Sequence, residues 1–349
     1  MAIFQSLVKK EAIHIIRDKR TMVITLLMPL VLLLLFGFAI STEVNDVRVV
    51  AVVDRHTDQT RELLEQLGVN SYFNFQGLTS ENEIENLLRA GKTDAAIILR
   101  SDNGTLKTQI IADASNTTLA QTLTGYIQGV ISGNSANNMM ITRTLYNPQM
   151  KSAYNFVPGI MGMIFILICA IMTSVSIVRE KENGTMSLLL VSPVKPVTII
   201  LGKLVPYFLL SCIILTIMLL ISYTVLELPL SVSLINVIII SLLYIILSLS
   251  FGLFVSTIAD SQLTALIASA VVLMLPVIML SGMIFPIDNM PVVLQWLSAV
   301  IPARWYIDAM RKLMIQQLGL SYIAKDIIIL TTMTVVILLL SIKKFKSEK

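Results

Sequence analysis

The chain is 349 residues long, 55% hydrophobic, 14% charged and 7% aromatic, with a formal net charge of +4. A soluble domain carries about 25% charged residues, so these proportions exclude an ordinary water-soluble protein. The apolar mass is Leu, Ile, Val and Met, the residue types that fill hydrocarbon.

The N-terminal stretch places Phe4, Leu7, Val8, Ala12, Ile15 and Ile16 at helical spacing, with Lys9, Lys10, Glu11 and Arg17 elsewhere. That pattern predicts an amphipathic helix lying in the membrane interface. Residues 22–40 follow as a 19-residue run without Asp, Glu, Lys or Arg. This run exceeds the apolar core of a cleaved signal, about 7–15 residues, and reads as an uncleaved span.

Residues 41–155 have a soluble composition, with nine basic against twelve acidic residues. Valines over 47–53 predict a buried strand, and 59–67 a helix. Residues 81–88 predict a second helix, stopped by Gly91, before strands at 95–99 and 106–111; a last helix is expected over 118–131. The whole reads as a compact α/β domain on the outer side. Gly91-Lys92-Thr93 imitates the end of a phosphate loop, but Asn86 stands where that motif needs glycine and the run ends a helix instead of opening one. Gly125, Gly129 and Gly133 form a small-residue ladder, expected to pack a helix on its own domain.

Uncharged runs then recur at 156–178, 204–226, 230–259 and 261–287, with a shorter one of 16 residues at 327–342. Crossing a hydrocarbon core takes about 20 apolar residues. With 22–40 these give six transmembrane helices, the last extended by the turn around Tyr322, with Lys325 and Asp326 reaching toward the headgroups. Basic residues mark the cytoplasmic side. They cluster before the first span (Lys9, Lys10, Arg17, Lys19, Arg20), between the second and third (Arg179, Lys181, Lys195, Lys203) and in the tail (Lys343, Lys344, Lys346, Lys349), so both termini are expected inside. Arg304, Arg311, Lys312 and Lys325 run against this rule, because they fall on the outer side.

The fold class expected is therefore an α-helical polytopic membrane protein with an inserted extracytoplasmic α/β domain. The parts are a cytoplasmic amphipathic elbow at 1–21, span one at 22–40 and the outer domain at 41–155. Spans two to six occupy 156–342 and a basic cytoplasmic tail 343–349. Cys169 and Cys212 both fall inside predicted spans, which excludes a structural disulfide in the outer domain. The two histidines, His14 and His56, have no Cys or His neighbours at ligand spacing, and no nucleophile constellation appears, so neither a metal site nor catalysis is expected.

After span two the chain reads Arg179-Glu180-Lys181-Glu182-Asn183-Gly184-Thr185-Met186, then an apolar run to Pro193, Lys195 and Pro196. Alternating charge, a glycine reversal and a short apolar face suit a groove on a partner. This segment, continuing to Gly202-Lys203-Leu204-Val205-Pro206-Tyr207, resembles the first cytoplasmic loop of type-2 ABC exporter permeases. Two further stretches carry the same resemblance: Arg17-Asp18-Lys19-Arg20 leading to Met28-Pro29, and Ser281-Gly282-Met283-Ile284-Phe285-Pro286 followed by Ile301-Pro302-Ala303-Arg304-Trp305.

The resemblance covers the whole chain and implies an ATP-driven export subunit in the bacterial inner membrane. In that family the loop, here 179–203, docks into the cleft of a separate ATPase. Arg179, Glu180, Lys181, Glu182, Asn183, Gly184, Thr185, Met186, Pro193 and Lys195 become candidate coupling residues. The region 285–325 is expected to form short re-entrant helices at the outer face, with Phe285, Pro286, Pro302 and Arg304 as gate residues. The implied partners are ABC ATPase subunits, a second permease copy or paralogue, membrane lipid and, where the route is extended, a periplasmic adaptor; nucleic acid is not among them. No cofactor is expected on this chain, ATP being bound by the partner, and an apolar or amphipathic cargo fits the uncharged spans. The rival expectation is a membrane-anchored sensor or scaffold whose outer domain binds a ligand without transport.

Overall fold

The structure is a computed structural model, and it describes residues 2–39, 47–55, 57–69, 73–102, 105–112, 124–125, 127–128, 152–186, 196–230 and 234–347. The chain divides into two compact units, one formed by Met1–Ile40 with Ser152–Lys349 and the other by Ser41–Lys151.

The second unit carries strands β1 (Val47–Val53), β2 (Phe73–Leu78), β3 (Ala95–Asp102) and β4 (Thr105–Ala112), with helices α3 (Asp58–Val69) and α4 (Glu81–Arg89). The sheet order is β2-β1-β3-β4; β1 runs parallel to both neighbours, whereas β4 returns antiparallel to β3. Side chains alternate across a strand, so β1 supplies both cores. Val47 and Val49 pack with Leu63 and Leu67 of α3 on one face, and Val50 packs with Ile84 of α4 on the other. Gly91 adopts φ +61° to end α4. Beyond it, Thr93 is buried and donates its hydroxyl to the Arg48 carbonyl at 2.8 Å, so the Gly-Lys-Thr run is a packed turn. Strand β2 has no counterpart in the sequence reading. Of the helix expected at 118–131, only residues 124–125 and 127–128 are described, and these are helical; Gly129, Gly133 and His56 lie outside the described residues.

In the first unit, α1 (Ala2–Arg17) precedes α2 (Lys19–Ala39). Four further long helices are α5 (Ser152–Glu182), α6 (Pro196–Thr224), α7 (Leu234–Ser256) and, at the end, α12 (Ala324–Ser347). Between α7 and α12 the chain forms α8 (Gln262–Ile267), a π-helical segment Ala268–Leu273, α9 (Met274–Leu280), α10 (Val292–Ala299) and α11 (Pro302–Met314). Among the described residues, five helical segments are long and apolar enough to cross a membrane, and six if α1 and α2, bent by 72°, count as one broken span.

The helix bounds differ from expectation in instructive ways. Helix α6 starts at Pro196, where proline's fixed φ and missing N–H suit a first turn, so Lys203 belongs to a helix instead of a loop. The fifth apolar run is one continuous path of three pieces, because the π segment inserts a wider turn. Asp326 does not reach toward headgroups: it is fully buried, 3.0 Å from the Lys312 ammonium, since an unpaired carboxylate there would be left dry.

The core of this unit is centred on α5, whose most extensive packing is against α7. Gly252 makes that approach close, since a Cβ there would sit 2.7 Å from the Ala170 carbonyl oxygen. Nearby, the Tyr244 and Tyr306 rings stack at 4.2 Å, and the Tyr244 hydroxyl donates to the Gly162 carbonyl at 3.0 Å. The outward faces are apolar instead of polar, with Ile24, Leu27, Val31 and Leu35 exposed along α2, a surface suited to lipid.

Candidate functional site

The charged end of α5 draws four elements together. Burying a charge is costly unless it is paired, and Glu180, Lys203 and Glu11 are all buried. Lys203 Nζ lies 2.7 Å from Glu180 Oε2 and 3.3 Å from Glu11 Oε1. The half-exposed Lys10 closes the set at 2.7 Å from Glu180 Oε1, so two ammoniums balance two carboxylates. Helix spacing explains the placement. Lys10 and Glu11 are neighbours on α1, while Leu7 lies one turn earlier on that helix and would be 3.0 Å from a Cβ on Gly202 of α6. The amphipathic helix thus docks on α6 and delivers both charges to α5.

Two residues further on, a second link reaches the fifth apolar path. The backbone N–H of Gln262, first residue of α8, donates to Glu182 at 2.9 Å, and its side-chain amide donates to the same carboxylate. Arg179 Nε donates in turn to Gln262 Oε1 at 3.1 Å. Ser174 and Ser269 pair their hydroxyls at 3.0 Å where the π segment begins.

Of the candidate coupling residues, Arg179, Glu180, Lys181 and Glu182 form the last turn of α5. Asn183 and Gly184 turn the chain, Gly184 at φ +70°, a conformation that glycine adopts without strain. Thr185 donates to the Glu180 carbonyl at 3.2 Å, and Met186 is buried in the helical core. Residues 182–185 remain exposed. Pro193 and Lys195 lie outside the described residues. The sequence reading took Glu180 for an exposed charge, whereas its carboxylate is consumed inside the bundle. Glu11 and Gln262, which complete the links, were not singled out; Glu11 stands 192 positions from Lys203, beyond any local pattern.

The candidate gate residues lie toward the other end of α5. Gly162 faces Tyr306 and Ile307 of α11, and at a rise of 1.5 Å per residue it is about 27 Å along the helix from Glu180. Phe285 is half exposed, Pro286 precedes a 3-10 turn, and buried Pro302 opens α11. Arg304 donates to the Gln295 carbonyl at 2.8 Å, tying α11 to α10.

Residues 19–343 match the family described as ABC-2 family transporter protein. The chain belongs to that family. Among its relatives, the probable multidrug ABC transporter permease YbhS of Escherichia coli is 29% identical over 88% of this chain and 87% of its own. The probable multidrug ABC transporter permease YbhR of the same organism is 28% identical over 91% of both chains. A eukaryotic relative, ABC transporter G family member 20 of Dictyostelium discoideum, is 25% identical over 90% of this chain but only 46% of its own length. This ABC-2 chain is thus a multi-pass membrane protein and a permease subunit of an ABC transporter. The family match begins within the first turn of α2 and takes in the α5 end and the cationic region of α11.

Proposed function

We propose that this permease is the membrane half of an ATP-driven exporter, and that the end of α5 receives the stroke of a separate ATPase. The reading places both termini and residues 179–203 in the cytoplasm and residues 41–151 outside. It takes two permease chains and two ATPase subunits per transporter.

The observation that carries the reading is the buried Lys203–Glu180–Glu11–Lys10 set together with the Glu182–Gln262 link. An exposed turn, Asn183–Thr185, is mounted on a helix end that is ionically fastened to α1 and α6 and hydrogen-bonded to α8. A push on that turn cannot be absorbed locally, because displacing Glu180 alone would leave buried charges unpaired. The displacement is passed to three helices at once, α1, α6 and α8, which is what rigid-body switching of a cavity requires. ATP is held by the partner; this chain supplies the rods.

The cargo class follows from what the helices lack. Apart from Lys203, the Asp, Glu, Lys and Arg residues of α5, α6, α7 and α12 are confined to helix ends, whereas ion and proton carriers place such groups along the path. An apolar or amphipathic cargo fits, in keeping with the two Escherichia coli relatives being named probable multidrug permeases.

The test is Gln262→Ala, which removes the side-chain half of the α5–α8 link at a half-buried position. The variant is expected to fold and to support ATP hydrolysis by the assembled complex, with cargo transport reduced about tenfold, a coupling loss near 1.4 kcal/mol. Transport at the unaltered rate would count against the link.

A further inference from the structure

Close to the Glu180 end of the bundle, a cavity of about 200 Å³ lies against α5, bordered by the α1–α2 bend and by α8. It runs from Arg179 back to Ile171, about 12 Å along the helix at a rise of 1.5 Å per residue. Met22, Met172, Val175 and Leu266 join Ile171 in an apolar wall. Among the described residues, α2 and α8 each pack closely on α5 and little on one another, which leaves a cleft between them over the cavity. Both helices expose apolar side chains, Val23 and Ile24 on α2 and Leu263 and Ile267 on α8, so the cavity borders a surface suited to lipid.

The hydroxyls and the carboxylate around the cavity have partners of their own. Inside it, the Ser176 and Tyr207 hydroxyls hydrogen-bond each other. At the rim, Thr21 donates to Asp18 through its hydroxyl at 2.7 Å and its N–H at 3.2 Å. The interior therefore suits an apolar occupant, because a polar ligand atom buried there would lose water without a new partner. Methionine thioethers are polarisable, adapt their shape and favour contact with aromatic edges, and both Met22 and Met172 stand in this wall. An apolar cavity of about 150 Å³ takes benzene, so the space here admits a substituted ring.

We propose that this cavity is the inner-leaflet entry site for cargo, and that it takes an uncharged aromatic ring, with the cargo's polar end left at the rim beside His14 and Arg179. Calling the occupant cargo and the leaflet inner rests on the exporter reading; the binding itself does not. Arg179 lines the cavity and donates to Gln262 Oε1 at 3.1 Å, so an occupant touches the α5–α8 link directly. Filling of the site and the state of the coupling turn are thereby joined at one side chain.

Photolabelling of the full-length permease in lipid nanodiscs tests it, with benzophenone as the probe, an uncharged diaryl ketone that on irradiation attacks methionine methyl groups readily. Peptide mass spectrometry then reads each methionine separately. Labelling of Met22 and Met172 is expected to saturate as probe is added, whereas Met28 and Met279, exposed by 43% and 50%, should be labelled in proportion to the probe dissolved in the bilayer. Val175→Trp, which fills the cavity, should lower labelling of Met172 about tenfold, and Val271→Trp at an exposed position of the π segment should leave it unchanged. Labelling of Met22 and Met172 that never saturates in the unaltered chain would overturn the proposal, needs no variant to fold, and would give the cavity to lipid chains. Unreduced labelling in a folded Val175→Trp protein would overturn it as well. No ATPase is present, so a negative result strikes this site and leaves the coupling links standing, whereas saturable labelling of a chain that supports no ATP-driven transport would strike the exporter reading alone.

Discussion

At Lys203 the difference between an exposed and a buried ion pair becomes measurable. Removing one partner of a buried set leaves the others uncompensated, at a cost of roughly 3–5 kcal/mol, whereas an exposed member contributes about 0–1 kcal/mol. Lys203 is 4% exposed at its side chain and Lys10 56%. Lys203→Met should therefore melt well below the parent protein in a detergent thermal scan, and Lys10→Met close to it. In the sheet-bearing unit, Arg48 donates from its side chain to both oxygens of Asp94, at 3.1 and 2.7 Å, and holds that carboxyl below the usual carboxylate range. A depressed carboxyl stabilises the fold above its unfolded pKa and loses that contribution as pH falls through the folded one. Acidification below the ordinary carboxylate range should thus destabilise this unit, and Asp94→Asn should flatten the dependence in a pH series of melting curves. The charges themselves were plain in the sequence, but their partners were not. Lys203 was counted among cytoplasmic loop charges and Asp326 among headgroup contacts, because side-chain pairing across distant segments leaves no periodic trace.

Among the elements, the long apolar helices announce themselves, since hydrocarbon tolerates few charges and no unpaired backbone. Helices α3 and α4 and strands β1, β3 and β4 also fall where apolar spacing and the Gly91 stop put them. Strand β2 was missed for a physical reason: Phe73–Leu78 holds no β-branched residue, and its alternation runs only over Phe73-Asn74-Phe75-Gln76 before Gly77, at φ +108° beside an irregular register with β1, interrupts it. The π segment was missed as well, because a widened turn of Ala, Ser, Val and Leu has the same composition as an α-helical one. Gly252 supplies the sharpest prediction at this scale. Alanine there would press a methyl group against the backbone of α5, and overpacking of this kind costs about 1–3 kcal/mol. Gly159→Ala meets only the flexible Met283 side chain and should be far better tolerated. Size-exclusion profiles and melting temperatures of the two variants compare them directly; equal behaviour would contradict the tight α5–α7 approach.

Over the whole molecule, an apolar bundle with a charged, exposed turn at one end of α5 suits a permease subunit, and in the proposed function work enters at that face. Membership of the ABC-2 family fixes the class of machine, whereas the site of coupling rests on the links at Glu180 and Glu182. The most direct test is cross-linking from Asn183→Cys, in a Cys169→Ala, Cys212→Ala background, in membranes that hold co-expressed ATPase subunits. The account predicts an adduct with the ATPase whose yield changes when ATP is added. Modification of the same cysteine by a membrane-impermeant maleimide applied outside intact cells, with no ATPase adduct, would contradict it.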